Sequence, residues 1–285
     1  MTEPAAGAAG AAALRPPFGP EESARRVRAR GGLYFAEHQL RKLRAYGGTL
    51  LGVGVGTPVL YLLAMGLGLG TVVDAAGGAL GTPYLQFVAP ALLVSAAMMA
   101  GAAENTYTVM AGFRWQRLYL AAQATPLSAG QLAAGHALGT SVRYLLTSAV
   151  YFGVLLLFGA VPEPGTGWLL VPLGVLAGNA FGLPIMAFAA RLREEHGEFA
   201  LLQRFVIMPL FLFSGTFFPL AALPGALDRL GWISPLWHAV QLGRVLSYGL
   251  AEPAWLTAVH VLYLLALAGA GWLLARRAFA RRLDA

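Results

Sequence analysis

Cysteine is absent from this sequence, lysine occurs once, and charged residues of either sign are few. Without cysteine the chain can form neither a disulfide nor a thiolate metal site. Of the 285 residues, 12% are charged and 58% are hydrophobic. Because soluble domains are about a quarter charged, this composition argues against a soluble domain and against a disordered chain. It is the composition of a membrane protein.

The scarcity of lysine bears on ATP hydrolysis. A Walker-type phosphate-binding loop needs a lysine directly after a glycine, and the single lysine, Lys42, follows Arg41. The chain therefore has no Walker-type ATP site of its own, and we expect no cofactor bound to it. If it moves a solute actively, the energy comes from a separate polypeptide.

Charges are also missing from six long stretches of the chain. These stretches are Ala45–Val73, Ala75–Ala103, Tyr144–Pro162, Pro164–Ala190, Phe205–Leu227 and Pro253–Ala275. A bilayer-spanning helix needs about 20 mostly apolar residues, so each stretch predicts a span. The predicted spans are 49–70, 83–103, 142–160, 168–190, 205–222 and 254–275. A seventh uncharged stretch, Leu118–Val142, is too polar to face lipid.

Groups that carry out chemistry are scarce inside the predicted spans. The spans contain no Asp or Glu, and the five histidines show no metal-ligand spacing. His260 alone lies well inside a span, where a hydrogen bond to a neighbouring helix is more typical than catalysis. The pattern therefore argues against an intramembrane enzyme, a metal site and a proton-coupled carrier.

The basic residues are concentrated on one side of the predicted spans. Seventeen lie in the N-terminal segment, in the loops after the second and fourth spans and in the C-terminal tail, whereas only Arg229 and Arg244 lie on the opposite side. By the positive-inside rule, both termini of this multi-pass protein are cytoplasmic, and the plasma (inner) membrane is its expected location. The net charge of +7 then matches anionic lipid headgroups and not nucleic acid.

The N-terminal segment before the first span divides into two parts. Residues 1–30 predict a disordered cytoplasmic tail, and residues 31–285 predict a single transmembrane domain. Within the latter, Gly31–Gly48 places Leu33 and Leu40 on one face, which predicts an amphipathic helix in the inner membrane interface. The alternative is a basic anchor that only orients the first span.

Glycines recur at intervals of four in two of the predicted spans. They are Gly48, Gly52 and Gly56 in the first span and Gly174, Gly178 and Gly182 in the fourth. Small residues at this interval let helix backbones approach closely in lipid. The run from Gly52 to Gly56 is also similar to part of a nucleotide-binding loop, but no strand precedes it, so the pattern favours helix packing.

The segment Glu104–Thr125, between the second and third spans, mixes charges with large apolar residues such as Trp115 and Tyr119. So many aromatic residues in a loop predict a surface that docks on a partner protein or on lipid headgroups. Pro126 breaks this segment. Ser128 is then a candidate N-cap for a helix over residues 129–159.

Glu104 and Arg143 lie at the predicted cytoplasmic boundary of the second and third spans. Arg143 is a possible substrate contact, but an arginine at the end of a span more often extends toward the headgroups. Glu104 is interpreted in the same way. The charge pattern alone therefore assigns neither residue to a site.

The segment between the fifth and sixth spans, Ala221–Glu252, is apolar but interrupted by charges and prolines. Its pieces are too short and too charged to cross a bilayer. They predict short helices in the outer leaflet or a re-entrant hairpin. The predicted fold is all-α, with six transmembrane helices, an interfacial helix before the first, and an extracellular re-entrant helical hairpin before the last.

Two stretches of sequence carry a family resemblance. The first is Leu212-Phe-Ser-Gly-Thr-Phe-Phe-Pro-Leu220, continued by Leu223-Pro224 and by Ser234-Pro-Leu-Trp-His-Ala-Val240 to Arg244. The second is Phe87-Val-Ala-Pro-Ala-Leu-Leu93, through Glu104, Thr106 and Tyr107 to Ala124-Thr-Pro-Leu-Ser128. With the six-span layout and the size, they resemble the permease subunits of type-2 ATP-binding-cassette (ABC) exporters over residues 30–280. The resemblance is strongest to the branch of nodulation-factor exporters and daunorubicin-resistance permeases.

This resemblance implies a permease that moves a drug-like, lipid or lipid-linked sugar cargo outward. It implies a second permease copy, as a homodimer, and two copies of a cytosolic ATPase subunit that bind ATP and Mg²⁺. The positions implied in coupling to that ATPase are Glu104, Tyr107, Phe113, Arg114, Trp115 and Arg117. The positions that match the family motifs are Pro90, Thr125, Pro126, Ser214, Gly215, Phe218, Pro219, Pro224, Pro235, His238 and Arg244.

A different class of function is the alternative: a membrane scaffold or assembly subunit that transports nothing. Polar side chains that line a cavity would favour the permease, and the candidates near or within spans are Asn179, Gln203, Ser214 and Thr216. An intramembrane transferase or protease would need catalytic side chains at depth, which the spans lack.

Overall fold

The computed structural model describes residues 19–45, 47–77, 81–222 and 231–284. Within these ranges the chain is all helical, without a β-strand, as the sequence predicted. Residues 1–18 of the predicted tail and Pro224 of the family motif lie outside them. Five described helices are long and apolar enough to cross a membrane: Gly54–Ala75, Tyr84–Trp115, Ala129–Leu157, Pro164–Arg191 and Ala254–Leu283.

Helix α1 (Pro20–Ala45) bends at Arg30, whose φ of −127° departs from helical geometry. Residues 20–30 were predicted to belong to a disordered tail, but they are helical. Proline is well suited to the first turn of a helix, and Glu22 forms an ion pair with Arg26 one turn later, at 2.8 Å. Local sequence therefore starts the helix at Pro20.

Helix α2 consists of Gly47–Tyr61, a π-helical stretch Leu62–Leu69, and Gly70–Ala75. Its large side chains point mostly away from the rest of the chain, and Leu60 and Val72 are exposed. The glycines of the first predicted span are likewise open to the surroundings. A Cβ atom added at Gly48, Gly52 or Gly56 would meet no atom of the described residues within 4 Å, so these glycines do not mediate packing within the described part of the chain.

Helix α3 (Tyr84–Asn105) is the most deeply buried of the long helices. It bends at Thr106, where φ is −96° and ψ is −98°. Beyond the bend it continues as Tyr107–Met110 and then as a second π-helical stretch, Ala111–Trp115. The predicted second span and the first part of the predicted coupling segment are thus one nearly continuous helical element.

Helices α4 (Leu118–Gln123) and α5 (Ala129–Leu157) follow. Ser128 is the N-cap of α5, because its side chain accepts a hydrogen bond from the Gln131 N–H while the Gln131 side chain accepts one from the Ser128 N–H. This reciprocal pair is a capping box. The predicted cap and the predicted helix over residues 129–159 are both confirmed, with the helix ending two residues earlier.

The part of α1 beyond Arg30 lies against α5. A Cβ atom added at Gly135 would lie 2.7 Å from the Gly32 carbonyl oxygen and 2.7 Å from Phe35 Cβ. The two helix backbones therefore approach closely, and they bury Phe35. On the predicted apolar face, Leu33 is exposed whereas Ala36 is buried. Only part of that face therefore packs against the rest of the chain.

Helix α6 (Leu170–Arg191) lies at the centre of the bundle, against α3 and α5. Its glycines are close to other helices: an added Cβ would lie 2.7 Å from Tyr144 Cδ2 at Gly178 and 2.6 Å from Asn105 Nδ2 at Gly182. At Gly174 it would collide with the Ser148 hydroxyl. The predicted packing role of these fourth-span glycines is confirmed.

Helix α7 consists of Glu198–Leu202, a π-helical stretch Gln203–Ile207, and Met208–Phe213. These 16 residues give a length of about 24 Å, which is shorter than the roughly 30 Å hydrocarbon core of a bilayer. The predicted fifth span, 205–222, is thus helical only at its start and in a short turn at its end. Gly215, with φ of +76°, turns the chain away from the helix axis.

Helices α8 (Pro235–Tyr248) and α9 (Ala254–Leu283) complete the fold. The 14 residues of α8 are too few to cross a bilayer. Ser234 caps its start by accepting a hydrogen bond from the Trp237 N–H, and Gly249 ends it with φ of +69°. Helix α8 lies among α3, α6 and α9, and α9 also packs along α6.

Candidate functional site

A cavity of about 530 Å³ lies between α2, α3, α5 and α7. Most of its wall is apolar, with Met99, Met208 and Phe211 among the lining side chains. The polar side chains that line it are Thr57, Tyr61, Ser95, Glu104, Arg143, Thr147 and Tyr151. Ligand sites typically measure about 300–1,000 Å³ and combine apolar walls with a few polar groups. The size and lining therefore suit an amphipathic ligand.

Glu104 and Arg143 form an ion pair in the wall of this cavity. Glu104 Oε1 lies 2.8 Å from an Nη atom of Arg143, and the Glu104 side chain is 17% exposed. The sequence placed both residues at the membrane boundary but gave no sign that they pair, since they belong to different helices. Partial burial strengthens their attraction, and removing one partner would leave an uncompensated charge in the cavity wall.

A buried hydroxyl group without a described partner lies beside the cavity. Ser95 Oγ is buried and has no hydrogen-bond partner within the described part of the chain. It lines the cavity on α3, one turn from Met99. A buried hydroxyl without a partner is costly, and a ligand in the cavity would reach this oxygen only if neighbouring side chains moved.

Two buried polar residues next to Glu104 were missed by sequence reasoning. Asn105 Nδ2 donates to Tyr144 Oη at 2.8 Å and to the Gly101 carbonyl at 2.8 Å. Both side chains are buried and they join α3 to α5 where Gly182 of α6 leaves room. Asn179, which the sequence did single out, accepts a hydrogen bond from Ser141 Oγ at 3.0 Å. The sequence signals for this polar cluster were weak: Asn105 is a polar residue at the end of an apolar span, and Gly182, which lies next to it in the structure, is a small residue on another span.

The motif residues Gly215 and Arg244 meet at the other end of the bundle. The Arg244 guanidinium is 1% exposed, donates to the Gly215 carbonyl oxygen at 2.6 Å, and lies 3.6 Å above the centre of the Phe87 ring. It also donates to Gln241 Oε1 at 3.0 Å. A buried cation is stabilised by such acceptors and by the ring face. Arg244 therefore fastens α8 to α3 and to the motif after α7.

Other motif positions support the same junction. Ser214 Oγ and Ser234 Oγ share a hydrogen bond at 2.5 Å, which joins the end of α7 to the cap of α8. An added Cβ at Gly243 would lie 3.3 Å from Pro90 Cβ, so Pro90 packs directly on α8. Three further described motif positions flank these residues in the chain: Phe218 and Pro219, both half-buried just before the short turn Leu220–Ala222, and Pro235, the first residue of α8.

His238, another motif position on α8, joins α8 to α9 through a buried histidine pair. Its Nε2 lies 3.0 Å from the Trp232 carbonyl oxygen, and its Nδ1 contacts Nδ1 of His260. His260 Nε2 lies 2.7 Å from Glu252 Oε1. His260 thus has the hydrogen-bonded role that the sequence favoured. No described cluster of His, Asp or Glu has metal-binding geometry.

The predicted coupling segment exposes two of its aromatic residues. Trp115 is 61% exposed and Tyr107 is 49% exposed. The Tyr107 ring packs edge-on against Phe199 of α7, with 4.9 Å between centroids. Arg117, at the corner between α3 and α4, has a left-handed backbone with φ of 50°. These side chains form a surface available to a partner.

Phe113 does not belong to that exposed surface. It is buried against Tyr119 and Phe279, with centroid distances of 4.6 Å and 4.9 Å, and Arg282 lies over its ring at 4.2 Å. Its neighbour Tyr119 is also buried, and its hydroxyl is 2.9 Å from His136 Nδ1. Phe113 therefore shapes the segment from inside and cannot itself touch a partner.

The loop after α6 holds the coupling segment in place. Arg114 forms an ion pair with Glu194 at 2.7 Å. At the first residue of α7, the Glu198 carboxylate accepts a hydrogen bond from the His196 backbone N–H at 2.5 Å, which lowers the pKa of Glu198. The hydroxyl of the motif residue Thr125 donates to the Ala122 carbonyl at 2.6 Å. This bond closes the turn that follows α4, just before Pro126.

Comparisons with known proteins agree with this arrangement. The chain matches the ABC-2 type transporter family over residues 40–248. It is similar to Nodulation protein J of Rhizobium meliloti (strain 1021), with 29% identity over 196 residues, 67% of this chain and 71% of the relative. It is 28% identical to Nodulation protein J of Neorhizobium galegae over 72% of this chain and 76% of the relative. It is 25% identical to the inner membrane transport permease YadH of Escherichia coli (strain K12) over 72% of this chain and 78% of the relative.

Proposed function

Because the chain belongs to the ABC-2 type transporter family, we propose that it is the permease subunit of an ABC exporter that moves an amphipathic cargo outward across the inner membrane. The cavity between α2, α3, α5 and α7 carries this proposal. It combines apolar walls with an ion pair, as a path for a molecule with an apolar body and a polar group requires.

The cargo class that we propose is a lipid or a lipid-linked sugar. Two of the similar proteins carry the name Nodulation protein J and one is named as an inner membrane transport permease. Nothing in these names supports the drug-like cargo that the sequence resemblance also implied. The cavity contains both an acid and a base, so a charged headgroup of either sign could replace one partner of the pair.

The energy source is a separate ATPase subunit in two copies, which would bind ATP and Mg²⁺. The exposed side chains Trp115 and Tyr107, with Arg117 at the corner, form the surface that we assign to this subunit. Glu104 lies one turn before Tyr107 on the same helical element. Movement of the docking surface would therefore reach the ion pair in the cavity through α3 itself, as coupling between two sites requires.

A second copy of the permease would complete the path. Helix α2 exposes Leu60 and Val72 together with its open glycines, and α7 exposes Phe205 and Phe213. Both helices also contribute residues to the cavity wall, Thr57 and Tyr61 from α2 and Met208 and Phe211 from α7. In lipid, open glycines with exposed apolar neighbours favour helix association. A homodimer that pairs these faces would enclose the cavity between the two copies.

In the membrane we propose six crossings with both termini cytoplasmic. The fifth crossing in chain order would be α7 together with the residues up to Ala222, in addition to the five long helices, so that α8 and its cap form a re-entrant hairpin at the outer side. The contact of Arg244 with Gly215 supports this placement, because non-helical backbone at membrane depth needs protein partners for its polar groups.

The decisive experiment is transport in proteoliposomes that contain the chain and its ATPase subunit. ATP-dependent outward movement of a fluorescent phospholipid or a lipid-linked sugar is the expected result. The Trp115→Ala variant should uncouple hydrolysis from transport, whereas Trp255→Ala, which removes an equally exposed tryptophan (64%) at the start of α9, should not. If no probe moves and the chain only assembles other subunits, the scaffold alternative replaces this proposal.

A further inference from the structure

Seven arginines line a single groove of about 1030 Å³ on the face of the molecule where α6 and α9 end. They are Arg114, Arg117, Arg191, Arg193, Arg277, Arg281 and Arg282. The other lining residues are apolar, among them Leu120 and Leu274, and no acidic side chain of the described chain lines the groove. The groove is therefore far more positive than any packing role requires.

Two of the seven guanidinium groups are occupied within the protein. Arg114 pairs with Glu194. Arg282 donates to the Ala190 carbonyl at 3.1 Å and covers the Phe113 ring. The remaining five are exposed, and their guanidinium groups form no hydrogen bond or ion pair with another described residue. These five converge on one space without a counter-charge.

Convergent like charges repel one another, and Arg114 and Arg193 lie close enough to Arg282 for that repulsion to be felt. A multivalent anion would relieve it. The planar fork of a guanidinium matches the oxygens of a phosphate, to which it can donate two parallel hydrogen bonds. The ligand chemistry that fits the groove is thus a phosphate group, or a pair of them.

One face of α9 indicates which source of phosphate fits. Arg277 and Arg281 lie on the same face as Leu274, Ala270 and Ala266, at intervals of three or four residues, and all five are exposed. An apolar strip therefore runs from the basic groove along the membrane-crossing helix. A free phosphate or an acidic protein segment has no long apolar part that would pack against this strip, whereas the acyl chains of a lipid would.

We propose that this groove binds the phosphate headgroup of an anionic phospholipid, with the acyl chains lying along α9. Basic pockets beside transmembrane helices on the cytoplasmic side recognise cardiolipin and related headgroups. The site is separate from the cavity, because the two share no lining residue. Binding here would stabilise the junction between the end of α9 and the loop that holds the coupling segment.

Native mass spectrometry of the purified full chain tests this proposal. The protein is exchanged into detergent with cardiolipin, with phosphatidylglycerol or with phosphatidylcholine, and the lipid-bound fraction is measured for each. The Arg277→Gln/Arg281→Gln variant removes two unpartnered charges from the groove. The matched control, Arg204→Gln/Arg276→Gln, removes two exposed charges that do not line it.

The expected result is a preference for the anionic lipids that the groove variant loses and the control keeps. At about 1 kcal/mol for each basic residue near a headgroup, the loss is roughly thirtyfold in affinity. Equal binding of phosphatidylcholine, or an equal loss in both variants, would overturn the proposal. So would displacement of the lipid by millimolar inorganic phosphate alone, or a variant that binds lipid normally but loses the ATPase subunit.

Discussion

His238 and His260 meet through their Nδ1 atoms at 2.6 Å, in a contact that excludes solvent. Because a carbonyl can only accept, His238 Nε2 must donate to the Trp232 oxygen. In neutral His238 the Nδ1 atom then accepts, and His260 Nδ1–H donates to it. The other ring nitrogen of His260, Nε2, shares a hydrogen bond with Glu252 Oε1. A proton added to His238 would set two N–H groups against each other, so the contact requires His238 to be neutral.

Replacing His238 with alanine should lower the free energy of unfolding by about 2–3 kcal/mol. The loss combines a cavity with a buried N–H of His260 that has no acceptor. Thermal unfolding in detergent measures it. His196→Ala, in an exposed loop with a 72% exposed side chain, is the control and should change stability by less than about 0.5 kcal/mol. Equal effects of the two variants would contradict the buried hydrogen-bond chain.

The Arg244→Lys variant should destabilise the protein although it keeps the positive charge. An ammonium cannot cover the Phe87 ring and reach both the Gly215 carbonyl and Gln241 in the way that a planar guanidinium does. We expect a loss of about 2 kcal/mol, measured by thermal unfolding. Arg204→Lys, at an exposed position, should leave the unfolding midpoint unchanged. Equal unfolding midpoints for the two variants would show that the Arg244 contacts do not hold α8 against α3 and the Gly215 segment.

Glu104 and Arg143 should depend on each other in transport. Glu104→Gln or Arg143→Gln leaves one charge unpaired in the cavity wall, and each should reduce ATP-driven transport about tenfold or more. Changing both should cost less than the two single effects added together, with a coupling of about 1–2 kcal/mol. A double-mutant cycle on transport rates measures this coupling. Simple additivity would show that the pair is not a unit.

The glycines of α2 and α6 should respond to substitution in opposite ways. Gly178→Ala places a methyl group 2.7 Å from the Tyr144 ring and should lower stability by about 1–3 kcal/mol. Gly52→Ile meets open space within the chain, so it should leave stability unchanged but reduce the dimer fraction if copies pair through α2. Unfolding midpoints and cross-linking in membranes separate the two effects. A Gly52→Ile protein that dimerises normally would exclude α2 from the interface.

Much of the helical layout follows from the sequence, because a bilayer penalises charge so strongly that gaps between charges delimit crossing helices. The cap at Ser128 and the packing of Gly178 were predictable for an equally local reason: each depends on a short spacing pattern. The end of α7 at Phe213 could not be predicted in this way, because the glycine that ends it, Gly215 in a left-handed conformation, lies inside a long uncharged stretch.

The candidate site was harder to predict than the helices. Glu104 and Arg143 are 39 positions apart in the chain, and a charge at a span boundary is as compatible with headgroups as with an ion pair. Phe113 shows the opposite difficulty. An aromatic residue in a charged segment predicts an exposed docking surface, yet the partner that covers Phe113 is Phe279 of the same chain, which no local pattern reveals.

Two of the π-helical stretches adjoin the cavity, Leu62–Leu69 after its α2 wall and Gln203–Ile207 before its α7 wall. A π turn holds one residue more than an α turn, so it stores a single spare residue in the helix. Passing that residue along the helix rotates the segment that it crosses by about 100°, with almost every backbone hydrogen bond retained. The helix then has two alternative registers that differ by this rotation. In α2 and α7, such a one-residue register slip would exchange the side chains that face the cavity without unfolding either wall.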